Sequence, residues 1–464
     1  MTSWTHRLLP ALLAFVVAAC GADAVAPSPS PSSTAGAEAP TAEPSRSPDA
    51  AATPAVGDVE PAPGSASRLF APNPQAVVVA IEAGHGGCLD WGVADPQERG
   101  PDYSEKAITK SIARALADLV AADGATPVLI RDGDEALAGD HYPPLGCEGE
   151  PFRDVNQDGF AGFGGDLPDG TRTRDELQAR LDRANLAGAD VLVSLHVDSI
   201  TDAAGNLLPI ARTETFYTDE TPWGIPLTAR LAEQIQAALV ASLDAVADYA
   251  REDRGTNAHN LYIVAPPLFE TTPERPDPLR QPTRGALMPA VLVEIGTITL
   301  PAEHELLLSA EGASAAAQGI FDGLVAWFAE REVAGRIEPV DRAPGTVPQP
   351  IPGDGPPFRA DPAGEPPLRL RITNTGTRAW EGHAVELLTG WEATTAPYLY
   401  LPPDDVRPAG VALPGLAPGE SVVVEVELPA AGQDPGLAWF SLSVAGETVA
   451  QGGSPALQLS TGAP

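Results

Sequence analysis

Three short apolar runs constrain this chain more than anything else in it. Residues 76–81 (Ala-Val-Val-Val-Ala-Ile), 191–195 (Val-Leu-Val-Ser-Leu) and 290–293 (Ala-Val-Leu-Val) are too short for helices and rich in β-branched side chains. That is the pattern of strands buried on both faces of a parallel sheet. Between them lie segments whose apolar residues recur three and four apart. Ser104 can cap a helix reaching Asp123, with Ile108, Ile112, Leu116, Leu119 and Val120 on one face and Gly124 at its stop. Further helices are expected over 174–186, 227–243 and 313–330, and a further strand over 126–130. Alternating strands and helices predict an α/β domain over residues 73–334, a mostly parallel sheet flanked by helices.

A chain of 464 residues exceeds what one core usually occupies, so more than one folded region is expected. Arg7, an apolar run over 8–19 and small residues before Cys20 read as a signal peptide over 1–19, and the run is short for a bilayer span. Val17-Ala18-Ala19-Cys20 resembles the lipobox of bacterial lipoproteins, which would make Cys20 the lipidated mature N-terminus. An ordinary cleaved signal is the alternative; both place the mature chain outside the cytoplasm, membrane-anchored in the first case and secreted in the second. Residues 20–72 are rich in Pro, Ala and Ser, with few large apolar side chains, and are expected to be a disordered tether. A second Pro-rich linker is expected over 335–366. Alternating apolar and polar residues then predict an all-β sandwich over 367–464. Cys88 and Cys147 form an even pair in an oxidising compartment, where either a disulfide or two buried thiols fit. With 28 Lys plus Arg against 63 Asp plus Glu, the net charge is −35, which argues against nucleic acid as a partner.

The apolar runs end in polar groups. Ile81 leads into Glu82-Ala83-Gly84-His85-Gly86-Gly87, Leu195 into His196, and Val293 into Glu294. Ligands bind beyond the carboxyl ends of the strands in an open parallel sheet, so these residues are candidates for one cleft. A hydrolytic zinc takes about three His or carboxylate ligands and keeps a position open. His85 and His196 suit it, and glycines beside His85 allow a sharp turn. Glu105, in the first turn of a helix, also has a purely structural explanation, since a carboxylate there suits the helix dipole.

Together these stretches resemble the zinc-dependent N-acetylmuramoyl-L-alanine amidases. Residues 79–87 are similar to that family's opening strand and metal-histidine loop, and Ser104-Glu105-Lys106 to its glutamate ligand. Residues 180–185 with 189–198 are similar to its third ligand region, and residues 289–296 to its catalytic glutamate strand. The resemblance implies that His85, Glu105 and His196 hold Zn2+, that Glu294 is the catalytic base, and that peptidoglycan is the substrate. It also implies hydrolysis of the amide between N-acetylmuramic acid and L-alanine, in wall remodelling or cell separation. Two departures stand out: Glu82-Ala83 where the family has Asp-Pro or similar, and Thr297 where an aromatic residue is common. A zinc peptidase acting elsewhere on the stem peptide, or a non-catalytic wall-binding lipoprotein, are the other readings of the same residues.

An insertion over 138–171 carries Asp154, Asn156 and Asp158 before Gly159, matching the first half of a calcium loop, although position 12 is Gly165. Ca2+ is thus a second metal to consider, against an ordinary Asp/Asn/Gly-rich turn. In the tail, residues 370–380 and 416–421 resemble immunoglobulin-like accessory domains, and Trp380 is expected in their core.

Overall fold

A computed structural model describes residues 55–60, 77–87, 90–139, 153–156, 174–218, 227–265, 285–341, 345–347, 349, 358, 367–381, 385–393, 409–427, 436–444, 447–448 and 457–461. Its first strand, β1 (Ala55–Glu60), belongs to the all-β region. The α/β region contains strands β2 (Val78–Ala83), β3 (Thr126–Leu129), β4 (Val191–Asp198), β5 (Ala211–Tyr217), β6 (Arg251–Ala258) and β7 (Ala290–Thr297). They form one sheet in the order β3-β2-β4-β7-β5-β6. All pairings are parallel except β5 with β7, so the sheet is mostly parallel, as expected.

The central strands are buried on both faces, and side-chain alternation divides their residues between two cores. Val79, Ile81, Val193, Leu195, Val291 and Val293 pack with helices α1 (Glu105–Ala122), α3 (Leu227–Asp244) and α5 (Ala310–Glu330). Val78, Ala80, Leu192, Ala290 and Leu292 pack instead with α2 (Arg174–Leu186) and two loop segments, 261–264 and 286–288. The short helix α4 (Pro301–Leu308) follows β7. The four strands and four helices expected from periodicity are present. β5 and β6 were not expected, because they lie at the sheet's end and carry polar sequences, Ala-Arg-Thr-Glu-Thr-Phe-Tyr and Arg-Glu-Asp-Arg-Gly-Thr-Asn-Ala.

The remaining strands are β8 (Gly335–Pro339), β9 (Leu368–Asn374), β10 (Val385–Ala393), β11 (Ala409–Ala412), β12 (Ser421–Val426), β13 (Gly436–Val444), β14 (Glu447–Thr448) and β15 (Leu457–Thr461). They make two antiparallel sheets, β1-β12-β9-β8 and β11-β10-β13-β14, with β15 also on β13. Leu370, Ile372, Val422 and Val424 of the first sheet share a core with Val385, Leu387, Phe440 and Leu442 of the second. Trp380 is buried in that core, as expected.

Two boundaries need correction. The expected tether over 20–72 contains β1, which is exposed along its length and joins β12 through main-chain pairing. An edge strand of this kind needs no large apolar side chains, so composition conceals it. The expected linker over 335–366 opens with β8, whose Ile337 enters the sandwich core. Further along, Phe358 is 1% exposed in the core beside α2, with the Arg183 guanidinium 5.7 Å from its ring centroid. The two regions are joined by buried charge. Arg336 of β8 pairs with Asp190, just before β4, and donates from Nη1 to the Gly188 carbonyl at 2.9 Å. The same Asp190 carboxylate accepts from the Val78 amide at 2.7 Å.

Candidate metal centre

The sheet register builds the first part of the site. His196 lies opposite Glu294 on the neighbouring strand, and Glu294 lies opposite Glu214 on the next. Directly paired residues on adjacent strands project to the same side, so these three make a row across the sheet. Gly84 continues the row's other end, donating its amide to the Leu195 carbonyl at 2.9 Å. A Cβ at Gly84 would lie within 2.7 Å of the His196 ring, so only glycine lets the imidazole sit there.

His85 follows with φ 61°, a left-handed conformation that costs a non-glycine residue about 1–3 kcal/mol. Its backbone is held on several sides. Arg180 of α2 donates from Nη2 to the His85 carbonyl at 2.7 Å, and Arg131 donates to the Gly84 carbonyl at 3.2 Å. Gly86 donates to the Asp90 carbonyl at 2.8 Å. Arg180 is itself fixed: Glu176 accepts from its Nε at 3.0 Å, and Glu82 pairs with its Nη1. Ser194 donates to the other Glu82 oxygen at 2.5 Å. Glu82 is therefore no neutral departure, since its Oε2 also lies 4.0 Å from His196 Nε2.

Side-chain orientation follows from these anchors. His85 Nδ1 is 2.7 Å from Asp90 Oδ1, an acceptor that selects the Nδ1–H tautomer and leaves Nε2 free to ligate. That Nε2 is 3.1 Å from Glu105 Oε1, and His196 Nδ1 is 3.0 Å from the same oxygen. Glu105, the first residue of α1, is 3% exposed and accepts from the Val93 and Val197 amides at 2.8 and 3.0 Å. Val93 follows Gly92, whose φ is +65°, and a Cβ on Gly92 would collide with Glu105 and His85. The ligand-capable atoms of His85, Glu105 and His196 all lie within 4.8 Å of one another. Among the described residues, they are the one group of three or more such side chains.

The electrostatics demand a positive charge among them. Burial opposes protonation of His85, but the carboxylates of Glu105 and Asp90 overcome it and raise its pKa well above the usual range. Burial likewise opposes the Glu105 charge, yet His85 and His196 hold that carboxyl far below the ordinary carboxylate range. Glu294 shows the reverse: burial first, then repulsion from Glu105 and Asp198, raises its pKa well above the usual glutamate value. Its Oε2 is buried without a hydrogen-bond partner. Two nitrogens and a carboxylate around one point, with an unsatisfied carboxylate next to His196 in the same row, fit a divalent cation.

The structure thus brings together the four residues expected from the sequence, and adds three that sequence reasoning missed. Asp90 had a findable signal, a carboxylate five residues after the histidine in a glycine-rich turn. Glu82 and Arg180 had none, because their pairing spans 98 positions. For the calcium reading, Asp175 accepts from the Val155 and Asn156 amides at 2.7 and 3.2 Å, tying this turn to α2. Asn156 is 5% exposed, so this turn is packed against the domain, and among the described residues Asp154 joins no metal-competent group. Asp158, Cys20, Cys88 and Cys147 lie outside the described residues.

A sequence profile of the N-acetylmuramoyl-L-alanine amidase family matches residues 79–326, from β2 into α5. The chain belongs to this family. The chain is similar to the N-acetylmuramoyl-L-alanine amidase LytC of Bacillus subtilis (strain 168), 30% identical over 167 residues, which are 35% of this chain and 27% of the relative. It is also similar to the uncharacterised protein YqiI of the same organism, 25% identical over 251 residues, 54% of this chain and 84% of the relative. The chain therefore spans about a quarter of the first relative's length and most of the second's. Among solved structures, an N-acetylmuramoyl-L-alanine amidase from Clostridium difficile 630 is 22% identical, with a TM-score of 0.36, over 55% of this chain and 98% of that one. The β-sandwich lies outside the family match.

Proposed function

We propose that this amidase-family chain is a zinc hydrolase that cuts the amide between N-acetylmuramic acid and L-alanine in peptidoglycan, for wall remodelling or cell separation. The observation that carries the reading is the meeting of His85, Glu105 and His196 within 4.8 Å, drawn from three separate elements of the family-matched region. His85 Nε2, Glu105 and His196 Nδ1 would hold the ion. A zinc ion there supplies Lewis-acid polarisation of the amide carbonyl and lowers the pKa of water to about 7.

The chain's own groups account for the proton traffic. Glu294 accepts the proton of the attacking water at a carboxylate oxygen and returns it to the departing amine nitrogen. Burial makes it a stronger base than an ordinary glutamate, which suits that role near neutral pH. Asp90 keeps the His85 ring turned to the ion, and Val93 and Val197 amides keep Glu105 in place. Work outside the cytoplasm follows from the substrate. Attachment through a lipid on Cys20 rests on the lipobox-like sequence, and no helix among the described residues is long and apolar enough to cross a membrane.

The test is digestion of purified wall by the full chain with and without chelator, beside a zinc-loaded Glu294→Gln variant. Intact free stem peptides should accumulate, chelator should stop their release, and the variant should be about 10²–10⁴-fold slower with unchanged zinc content. Parental rates from Glu294→Gln, or cleavage inside the stem instead of at muramic acid, would remove the proposal.

A further inference from the structure

We infer that Arg254, carried on a bulge of β6, is a subsite for the free carboxylate that branches from the second residue of the stem peptide, and that it makes the protein prefer that residue unamidated. The inference rests on the amidase reading above and extends it to how the peptide is held.

The row through Gly84, His196, Glu294 and Glu214 has one more strand to cross before the sheet ends. On β6, Asp253 pairs with Thr213 and Thr256 with Thr215, so two residues, Arg254 and Gly255, stand opposite Glu214 alone. Gly255 has φ 69°, in the left-handed region that glycine adopts without strain. An extra residue of this kind is a β-bulge, which re-aims a side chain and recurs beside active sites. Electrostatics place Arg254 in the row: burial raises the Glu214 pKa above its ordinary value, and the charges of Arg254 and then Arg212 oppose that rise. Exposure increases along the same line, from part-buried Glu294 and Glu214 to an Arg254 side chain that is 47% exposed.

Arg254 is loosely engaged. Among the described residues its ion contact is with Glu252, at 4.0 Å. The carboxylates beside it already hold other donors, since Glu252 accepts from Arg212 Nε at 3.1 Å and Glu214 accepts from Asn257 Nδ2. Arg251 of the same strand shows what a structural arginine does here: its side chain is fully buried and paired with Glu303. The planar guanidinium fork of Arg254 instead faces water, where it can grip a carboxylate at two points.

The chemistry of the substrate selects the occupant. At its other end the row meets Gly84 and the loop that carries His85, so a peptide leaving the metal centre along the row passes over β5 and β6. Strands lie about 4.8 Å apart, which puts the Arg254 backbone about 10 Å from that of Glu294. The first stem residue, alanine, is uncharged. The second is a D-glutamate whose Cα lies about 3.8 Å beyond that of alanine. The stem continues through its side-chain carboxyl, which leaves the α-carboxylate as a branch that a long arginine side chain can meet.

The experiment uses the zinc-loaded full chain and its Arg254→Gln and Arg254→Lys variants, on muropeptides whose second residue is either D-glutamate or its α-amide. The parent should favour the free acid about five- to twentyfold in kcat/KM, through KM. Arg254→Gln should bring that ratio close to one, and Arg254→Lys, which keeps the charge without the fork, should lie between. Calorimetric titration of the zinc-loaded proteins with the dipeptide L-alanyl-γ-D-glutamate and its α-amide reads the same preference without turnover. A parent indifferent to amidation or favouring the amide, an undiminished preference in Arg254→Gln, or an effect confined to kcat would overturn the subsite. If the parent releases no stem peptide from wall yet binds the acid dipeptide through Arg254, the amidase reading fails and the subsite stands.

Discussion

Arg180 links the loop that carries His85 to the fold behind it. Its guanidinium is buried between Glu82 and Glu176 and reaches the carbonyl of His85, whose backbone is in the left-handed region. A lysine there would keep the charge but lose the planar fork that serves both carboxylates and the carbonyl. Arg180→Lys should therefore weaken zinc binding about 10- to 100-fold in a chelator-competition titration. Unchanged affinity would mean that the His85 conformation is held by Gly86, Asp90 and Arg131 alone. At this scale the sequence discloses the residues whose chemistry is conspicuous, His85, Glu105, His196 and Glu294. It does not disclose Glu82 and Arg180, because an arginine in a helix and a glutamate in a strand look like surface residues until the fold buries them against each other.

Among the elements, periodicity reveals those that bury a whole face, namely β2, β4, β7 and the four longer helices. It fails at β5 and β6, where partial exposure permits Arg, Glu, Thr and Asn, and at β1 and β8, which sit in Pro-rich surroundings. The connection between β2 and α1 is also organised in a way sequence does not display. Asp95 accepts from Arg99 Nε at 2.8 Å and from the Gln97 and Arg99 amides, and Arg99 reaches Glu305 of α4 at 2.6 Å. The Arg99 hydrogen bond holds Asp95 down to about 2, below the ordinary 3.8. A depressed carboxyl contributes stability that is complete above the ordinary value and disappears as pH falls through the folded value. The stability difference between the parent and Asp95→Asn should be constant from about pH 7 to 8, where His304 beside it stays neutral, and shrink between about pH 4 and 2 in urea titrations. A difference that grows as the pH falls from about 4 to 2 would refute this.

For the molecule as a whole, the sandwich is joined to the amidase region through Asp190, which meets Arg336 of β8 and the amide of Val78 at the start of β2. The Arg331 guanidinium stands 3.9 Å from the other Asp190 oxygen. Removing Arg336 leaves buried Asp190 with the Val78 amide and the more distant Arg331, a loss toward the lower end of the about 3–5 kcal/mol for breaking a buried pair. Arg336→Ala should lower the denaturation midpoint accordingly and separate one transition into two; an unchanged single transition would show that the linker's contacts suffice. The same joint gives β1 a mechanical meaning. Tension arriving along the chain ahead of Ala55 passes first into the β12 edge through the β1 ladder and is taken up there, before it can load β2 and the loop that carries His85. If the chain is hauled from its N-terminal side, the geometry of the candidate metal centre is sheltered by a sacrificial zipper one strand wide.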